Sequence, residues 1–291
     1  MKRYLDLVPI SAKIHRKQSR MSIFCIVLAV FLVTTIFGMA DMFVRSQIVQ
    51  ARLDGGNFHA ALRYITDEEA FLIAQRPEIK AAARYGVLNY RGEDGYTLSG
   101  KTAVIMGCDE PFVTDMMVDG IVEGNFPQTE SEIMLTQSAK ARLGFQVGDT
   151  IVMDGPDGKK LSYMISGFCK DTIKTTSEDS LGAAITTEAF RTIYPAVKNE
   201  TLEDYDSVFY IQFENPWKAR QEISDLKADC GLSDDQIYEN VKLLGMYGQS
   251  DSSQMMQIYA VAAALFVLVL AAGVMMIASS LNSNVAQRTE F

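Results

Sequence analysis

Histidine is nearly absent from this sequence, with only His15 and His59. By the topology read below they fall on opposite sides of a bilayer, so Ser-His-Asp or Cys-His chemistry would have to use His59 alone. No nucleophile-elbow sequence lies near it. Cysteine is also sparse: Cys25 sits inside an apolar run, leaving Cys108, Cys169 and Cys230. None forms a Cys-x-x-Cys pair or neighbours a histidine, which gives a zinc or redox site little support. One disulfide with a spare thiol and three reduced thiols both remain open. There is no Gly-x-x-x-x-Gly-Lys sequence, so this chain does not hydrolyse ATP by that route. Carboxylate pairs such as Glu68-Glu69 and Asp234-Asp235 read as a solvated acidic face. Fixed-period repeats and low-complexity tracts are missing. The chain is read as a non-enzyme, with no catalytic, cofactor-binding or metal-binding residue assigned.

What the sequence does have is two long uncharged runs, Met21 to Ala40 and Met256 to Leu281. The second has 26 residues, enough at 1.5 Å each to cross the roughly 30 Å hydrocarbon core of a bilayer. Its small residues (Ala260, Ala264, Ala271, Ala272 and Gly273) sit where a neighbouring helix could approach closely. Residues 1–20 carry a net charge of +5 against −9 for the whole chain. Allowing also for Asp41 and the cancelling Arg288 and Glu290, about −13 is left between the runs. Lys and Arg beside a span stay on the cytoplasmic side, so both termini read as inside and the acidic middle as outside. An acidic surface excludes nucleic acid as a partner. Gly38-Met-Ala40 resembles a cleavage site, but the basic lead-in and apolar core are both long for a signal peptide, and the run reads as an anchor. The expected organisation is a cytoplasmic amphipathic segment over 1–20, transmembrane helices over 21–43 and 255–281, an extracytoplasmic domain with helical stalks over 44–254, and a cytoplasmic segment over 282–291.

The middle reads as a mixed α+β fold of two subdomains. A stalk helix over Asp41 to Gly56 ends at Gly55-Gly56, and Thr66-Asp-Glu-Glu69 is a capping-box start closed by Pro77. Val87 to Arg91 and Thr102 to Gly107 are strand candidates, and Met116-Met117 reads as core filling. Gly120 to Pro127 reads as a loop, Glu132 to Leu135 as a strand, and Thr136 to Leu143 as a helix stopped by Gly144. A turn at Gly148-Asp149 leads to strand Ile151 to Met153, a hairpin at Asp154 to Gly158, and a return strand Leu161 to Phe168. This block predicts a small, barrel-like unit. Beyond it come strand Ala183 to Thr186, helix Glu188 to Tyr194, strand Ser207 to Phe213 and helix Pro216 to Ala228. Asn199-Glu-Thr201 fits a glycosylation sequon, a triplet common by chance.

Taken in order, Gly120-Ile-Val-Glu-Gly-Asn-Phe-Pro127, Glu132-Ile-Met-Leu135, Ala139 to Gly144, Val147-Gly-Asp-Thr-Ile151 and Ser166-Gly-Phe168 resemble the extracytoplasmic core domain of MacB/FtsX-type ABC-transporter permeases. The motif residues are Gly120, Pro127, Glu132, Leu143, Gly144, Gly148, Asp149 and Gly167. The end, Gln287-Arg-Thr-Glu-Phe291, resembles the start of that family's cytoplasmic coupling segment. The resemblance covers only the N-terminal portion of such a permease. It implies a separate or fused cytoplasmic ATPase, a second permease copy or homologue, and an extracytoplasmic substrate or partner. Arg288, Glu290 and Phe291 would begin the ATPase contact. The alternative with the same topology is a two-span receptor with an extracytoplasmic sensor domain. A basic linker usually follows the second span of such receptors, whereas this tail has only Arg288 and carries Arg-x-Glu-Phe.

Overall fold

The computed structural model describes residues 16–289 except 173–174, 176–178, 195–206 and 251. The expected amphipathic stretch before Arg16, the sequon at Asn199, and Glu290 and Phe291 lie outside the described residues. The chain divides into two units, one formed by residues up to Gln47 with those from Asp251, the other by Ile48–Ser250.

The first unit is helical. Helix α1 (Arg16–Gly55) has 40 residues and contains the first apolar run. The last helix, Ser253–Thr289, has 37 and contains the second. Phe37 and Phe266 meet edge to face at 5.6 Å. Many large apolar side chains of both helices are exposed, among them Phe24, Phe31, Leu265 and Leu268. Among the described residues no helix is long and apolar enough to cross a membrane.

The second unit is built on one continuous sheet of 11 strands. After β1 (Ala60–Arg63) comes α2 (Asp67–Ala74), then β2 (Ile79–Leu88), β3 (Thr97–Leu98) and β4 (Lys101–Cys108). A π-helical turn (Phe112–Met116) precedes β5 (Ile121–Gly124), β6 (Glu132–Thr136) and α3 (Gln137–Leu143). The hairpin β7 (Thr150–Asp154) and β8 (Lys160–Cys169) leads to β9 (Ser180–Thr186) and α4 (Thr187–Ile193). Then follow β10 (Val208–Phe213), α5 (Ala219–Cys230), β11 (Ile237–Glu239) and α6 (Val241–Met246).

Six of these strands close on themselves in the order β4-β3-β7-β8-β6-β9, because β9 also pairs in parallel with β4 from Thr102↔Ser180 to Cys108↔Thr186. The block over 120–170 is thus part of a barrel, but it does not close alone: β3, β4 and β9 come from outside it. Leu98, Ile105, Ile133, Ile151, Ile165 and Leu181 fill the barrel, with alternate side chains pointing inward. β5 pairs with β8 outside this ring, and the other four strands, β11-β1-β10-β2, form an open antiparallel extension joined to the barrel through β2 and β4. Helices α2 and α5 cover one face of it through Ile73, Ile223 and Leu226. The two expected subdomains are thus two parts of one sheet within one compact unit.

Two local expectations are corrected. Residues 121–124 are not loop: they pair with β8, with Gly124 opposite Gly167. A Cβ on Gly167 would come within 2.6 Å of Glu123 O, so the two backbones meet where neither strand has a side chain. The strand placed at Val87 to Arg91 instead runs from Ile79 to Leu88. Its first half, Ala81-Ala82-Ala83, carries weak strand propensity, which hides it. It ends where Asn89 takes a left-handed φ of 60° and donates to Tyr96 O and Ala103 O.

Candidate functional site

A hollow lies on the face of the extension opposite α2 and α5. Tyr210 in the middle of β10 is flanked by Ala61 on one neighbouring strand and Ala83 on the other. Both alanines are packed in the buried cluster, and of the three residues only Tyr210 lines the hollow. The π-helical turn supplies the opposite wall. Its Phe112 ring stacks on Tyr85 at 4.3 Å, and Phe58 meets Tyr210 edge-on at 4.5 Å. The wider turn of a π-helix, closed by Met117 N donating to Phe112 O, brings Phe112 and Met116 into one buried cluster. Between these walls lies a partly open cavity of about 830 Å³.

The rim is polar. Arg52 and Asp54, in the last turn of α1, are tied to α6: Arg52 donates to the Tyr247 hydroxyl at 2.6 Å, and Lys242 pairs with Asp54 at 2.5 Å. Asn240 holds the following turn, donating to Phe58 O and capping α6 at Leu243 N. On the other side, Lys170 donates to Val118 O at 2.9 Å, while Asp171 accepts from the backbone N–H and the hydroxyl of Ser138. Burial pushes the phenols of Tyr85 and Tyr210 up, so both stay neutral. Cys108 and Cys169 in the same cluster are free and buried, and burial raises both thiols, Cys169 to about 12. These groups are poor nucleophiles.

His59 does not reach the cavity as a reactive base. It is 2% exposed, stacks on Phe213, and its Nδ1 accepts the Phe213 N–H at 2.9 Å. Burial, with Arg52 and Lys80 adding to it, lowers its pKa to about 4.

Most of the motif residues frame the barrel rather than the cavity. Gly144 is the left-handed cap of α3, Leu143 packs on the barrel core, and Pro127 is buried. Glu132 accepts from the N–H groups of Gln128 and Thr129. Gly148 donates to Ile165 O, and the Asp149 side chain accepts from Gln146 N. Gly120 is the exception. A Cβ there would lie 2.0 Å from Val113 O, and its carbonyl accepts from Lys170 N, so it seats both the π-turn and the rim lysine. Arg288 lies in the last helix, whereas Glu290 and Phe291 lie outside the described residues, so these three are not brought together into a described site. The cavity aromatics were not read from the sequence. The only hint is the alternation in Val208-Phe-Tyr-Ile-Gln-Phe213, which does not say that both neighbours of Tyr210 are alanine. Met116 is core, as expected, and with Met117 also lines the cavity.

The family model for the MacB-like periplasmic core domain matches residues 19–227, well over half of the chain. The chain belongs to this family. It is therefore an ABC-transporter permease family member, a membrane protein with an extracytoplasmic domain. Among solved structures, the periplasmic region of MacB from Actinobacillus actinomycetemcomitans is 13% identical, with 69% of this chain and 97% of that one covered and a TM-score of 0.43. The extracellular domain of the ABC-type transporter YknZ from Gram-positive bacteria is 9% identical, with 63% and 99% covered and a TM-score of 0.42. No curated protein matches the chain.

Proposed function

We propose that this MacB-like chain is a permease subunit whose extracytoplasmic domain is worked by a cytoplasmic ATPase through two membrane-spanning helices. The observation that carries the reading is the extent of the family match, which begins at residue 19, ahead of the first apolar run, and continues to residue 227. In support, both apolar runs fall within single long helices whose described side chains leave large apolar groups exposed. Such surface is stable in hydrocarbon and costly in water. No phosphate-binding loop lies within these residues, and the ATPase of this reading is a separate or fused cytoplasmic one. The unit contains a second permease copy or homologue, and the output is export or mechanical work on an extracytoplasmic substrate or partner protein.

The test is affinity capture of the full chain from its native membrane, with partners identified by mass spectrometry. An ABC-type ATPase is expected, and it should be lost with Arg288→Ala and Glu290→Ala. Recovery of a histidine kinase or chemotaxis component without an ATPase would replace this reading with the two-span receptor.

A further inference from the structure

The cavity between the π-helical turn and β10 has the size and lining of a small-molecule site, since such sites enclose roughly 300–1,000 Å³ behind apolar walls with a few polar groups. At about 830 Å³ it is in the upper part of that range. Its walls are the rings of Phe58, Tyr85, Phe112 and Tyr210 with Met116 and Met117. Aromatic faces and flexible thioethers accept a range of apolar shapes.

Four charged groups line the rim: Arg52, Lys170, Asp54 and Asp171. Asp54 is engaged by Lys242 and by Gln50. Asp171 is engaged by Ser138. Asp54 is therefore neutralised by a cation outside the cavity, whereas Asp171 has hydrogen-bond donors but no cation among the described residues and keeps its charge. Lys170 donates to Val118 O and has Asp119 at 3.6 Å. Among the described residues Arg52 forms no ion pair. It gives one hydrogen bond, to Tyr247, and its Nε is buried with no acceptor. Nε itself is closed off, but the side chain lines the cavity, and a guanidinium there with no carboxylate paired to it favours an anion.

We infer that this cavity binds a small amphiphile, an apolar ring system or chain carrying one anionic group, with its body among the four aromatic rings and its anion at Arg52. The inference does not depend on coupling to an ATPase.

The test uses the full chain in lipid nanodiscs, with empty nanodiscs as the blank. Two fluorescent probes share an aromatic body: anilinonaphthalene sulfonate carries an anion, and phenylnaphthylamine does not. Saturable binding of the sulfonate above the blank is expected, with the uncharged probe weaker. Arg52→Gln should weaken the sulfonate roughly tenfold, the scale of one charge-assisted hydrogen bond. It should leave phenylnaphthylamine unchanged, and Arg52→Lys should restore part of the loss. Met117→Trp adds bulk at a half-buried wall position without emptying the core, and should abolish binding of both probes while an unchanged melting temperature reports the fold. Displacement of the sulfonate by dodecanoate identifies a free acid as the better occupant, and displacement only by vesicles containing lysophosphatidate identifies a lipid headgroup. No saturable signal, sulfonate binding indifferent to Arg52→Gln, or binding that survives Met117→Trp would each overturn the assignment.

Discussion

Lowering the pH from 6.5 to 4 should destabilise the domain chiefly through one residue. His59 is an ordinary imidazole in the unfolded chain and a neutral, buried one in the fold, where its pKa falls to about 4. The unfolded state therefore binds the proton first, and stability rises with pH wherever that is so. The contribution is complete above about pH 6.5, is lost progressively as the pH falls, and is gone near pH 4. At about 1.4 kcal/mol per tenfold change in proton affinity, the fall from 6.5 to about 4 corresponds to roughly 3 kcal/mol. Carboxylates also titrate near the lower end, so the comparison that isolates His59 is His59→Asn. The Asn amide oxygen can take the place of Nδ1 as acceptor for the Phe213 N–H, but it does not titrate. Denaturant unfolding of the full chain in detergent, followed by circular dichroism and by the single Trp217, gives the stability at each pH. The wild-type profile should slope between pH 6.5 and 4, and the Asn profile should be flatter by about 3 kcal/mol over that interval. Parallel profiles for the two proteins would refute the neutral, buried histidine. His59→Ala should cost a further ~1–3 kcal/mol at pH 8, because it leaves the buried Phe213 N–H without an acceptor.

Three further outcomes follow from the geometry. Thr66→Ala removes the hydroxyl that accepts from Glu69 N and donates to the Glu69 carboxylate, leaving only the backbone half of the capping box, and should cost about 1 kcal/mol in denaturant unfolding. Gly120→Ala places a methyl group 2.0 Å from Val113 O, and should cost about 3 kcal/mol or prevent folding, as seen in the yield and melting temperature of the purified chain. Of the three cysteines in the sheet-built unit, a membrane-impermeant maleimide applied to intact cells should label Cys230 alone, because that thiol is exposed while Cys108 and Cys169 are buried and protonated; labelling only after lysis would place the domain in the cytoplasm.

How much was legible depends on how local the cause is. The capping box at Thr66, the stop at Gly144 and the β7–β8 hairpin are each written within a few residues, and each stands where the sequence puts it. The N-cap of α4 at Thr186 and the alternation of β10 are equally local. The pairing that closes the barrel joins Thr102 to Ser180, and no short-range signal records a parallel contact across that separation. The short strands β1, β3 and β11 escape for the same reason, since two to four residues carry too little periodicity to stand out.

The motif and the cavity illustrate two different kinds of information. Gly120, Gly124 and Gly167 mark places where backbone meets backbone too closely for a Cβ, so their identities follow from the fold alone. Phe58, Tyr85, Phe112 and Tyr210 are far apart in the chain and converge because β10 lies between β1 and β2 with Ala61 and Ala83 beside its tyrosine. The family match therefore reports the architecture, whereas the chemistry of the cavity is set by side chains that the motif does not include. Gly120 links the two, because the same close approach that demands glycine also fixes the π-turn carrying Phe112 and the backbone of Lys170 at the rim. A substitution at Gly120 should therefore disturb probe binding even in a host background stabilised enough to keep the barrel intact, while one at Gly144, on the exposed end of α3, should leave it unchanged.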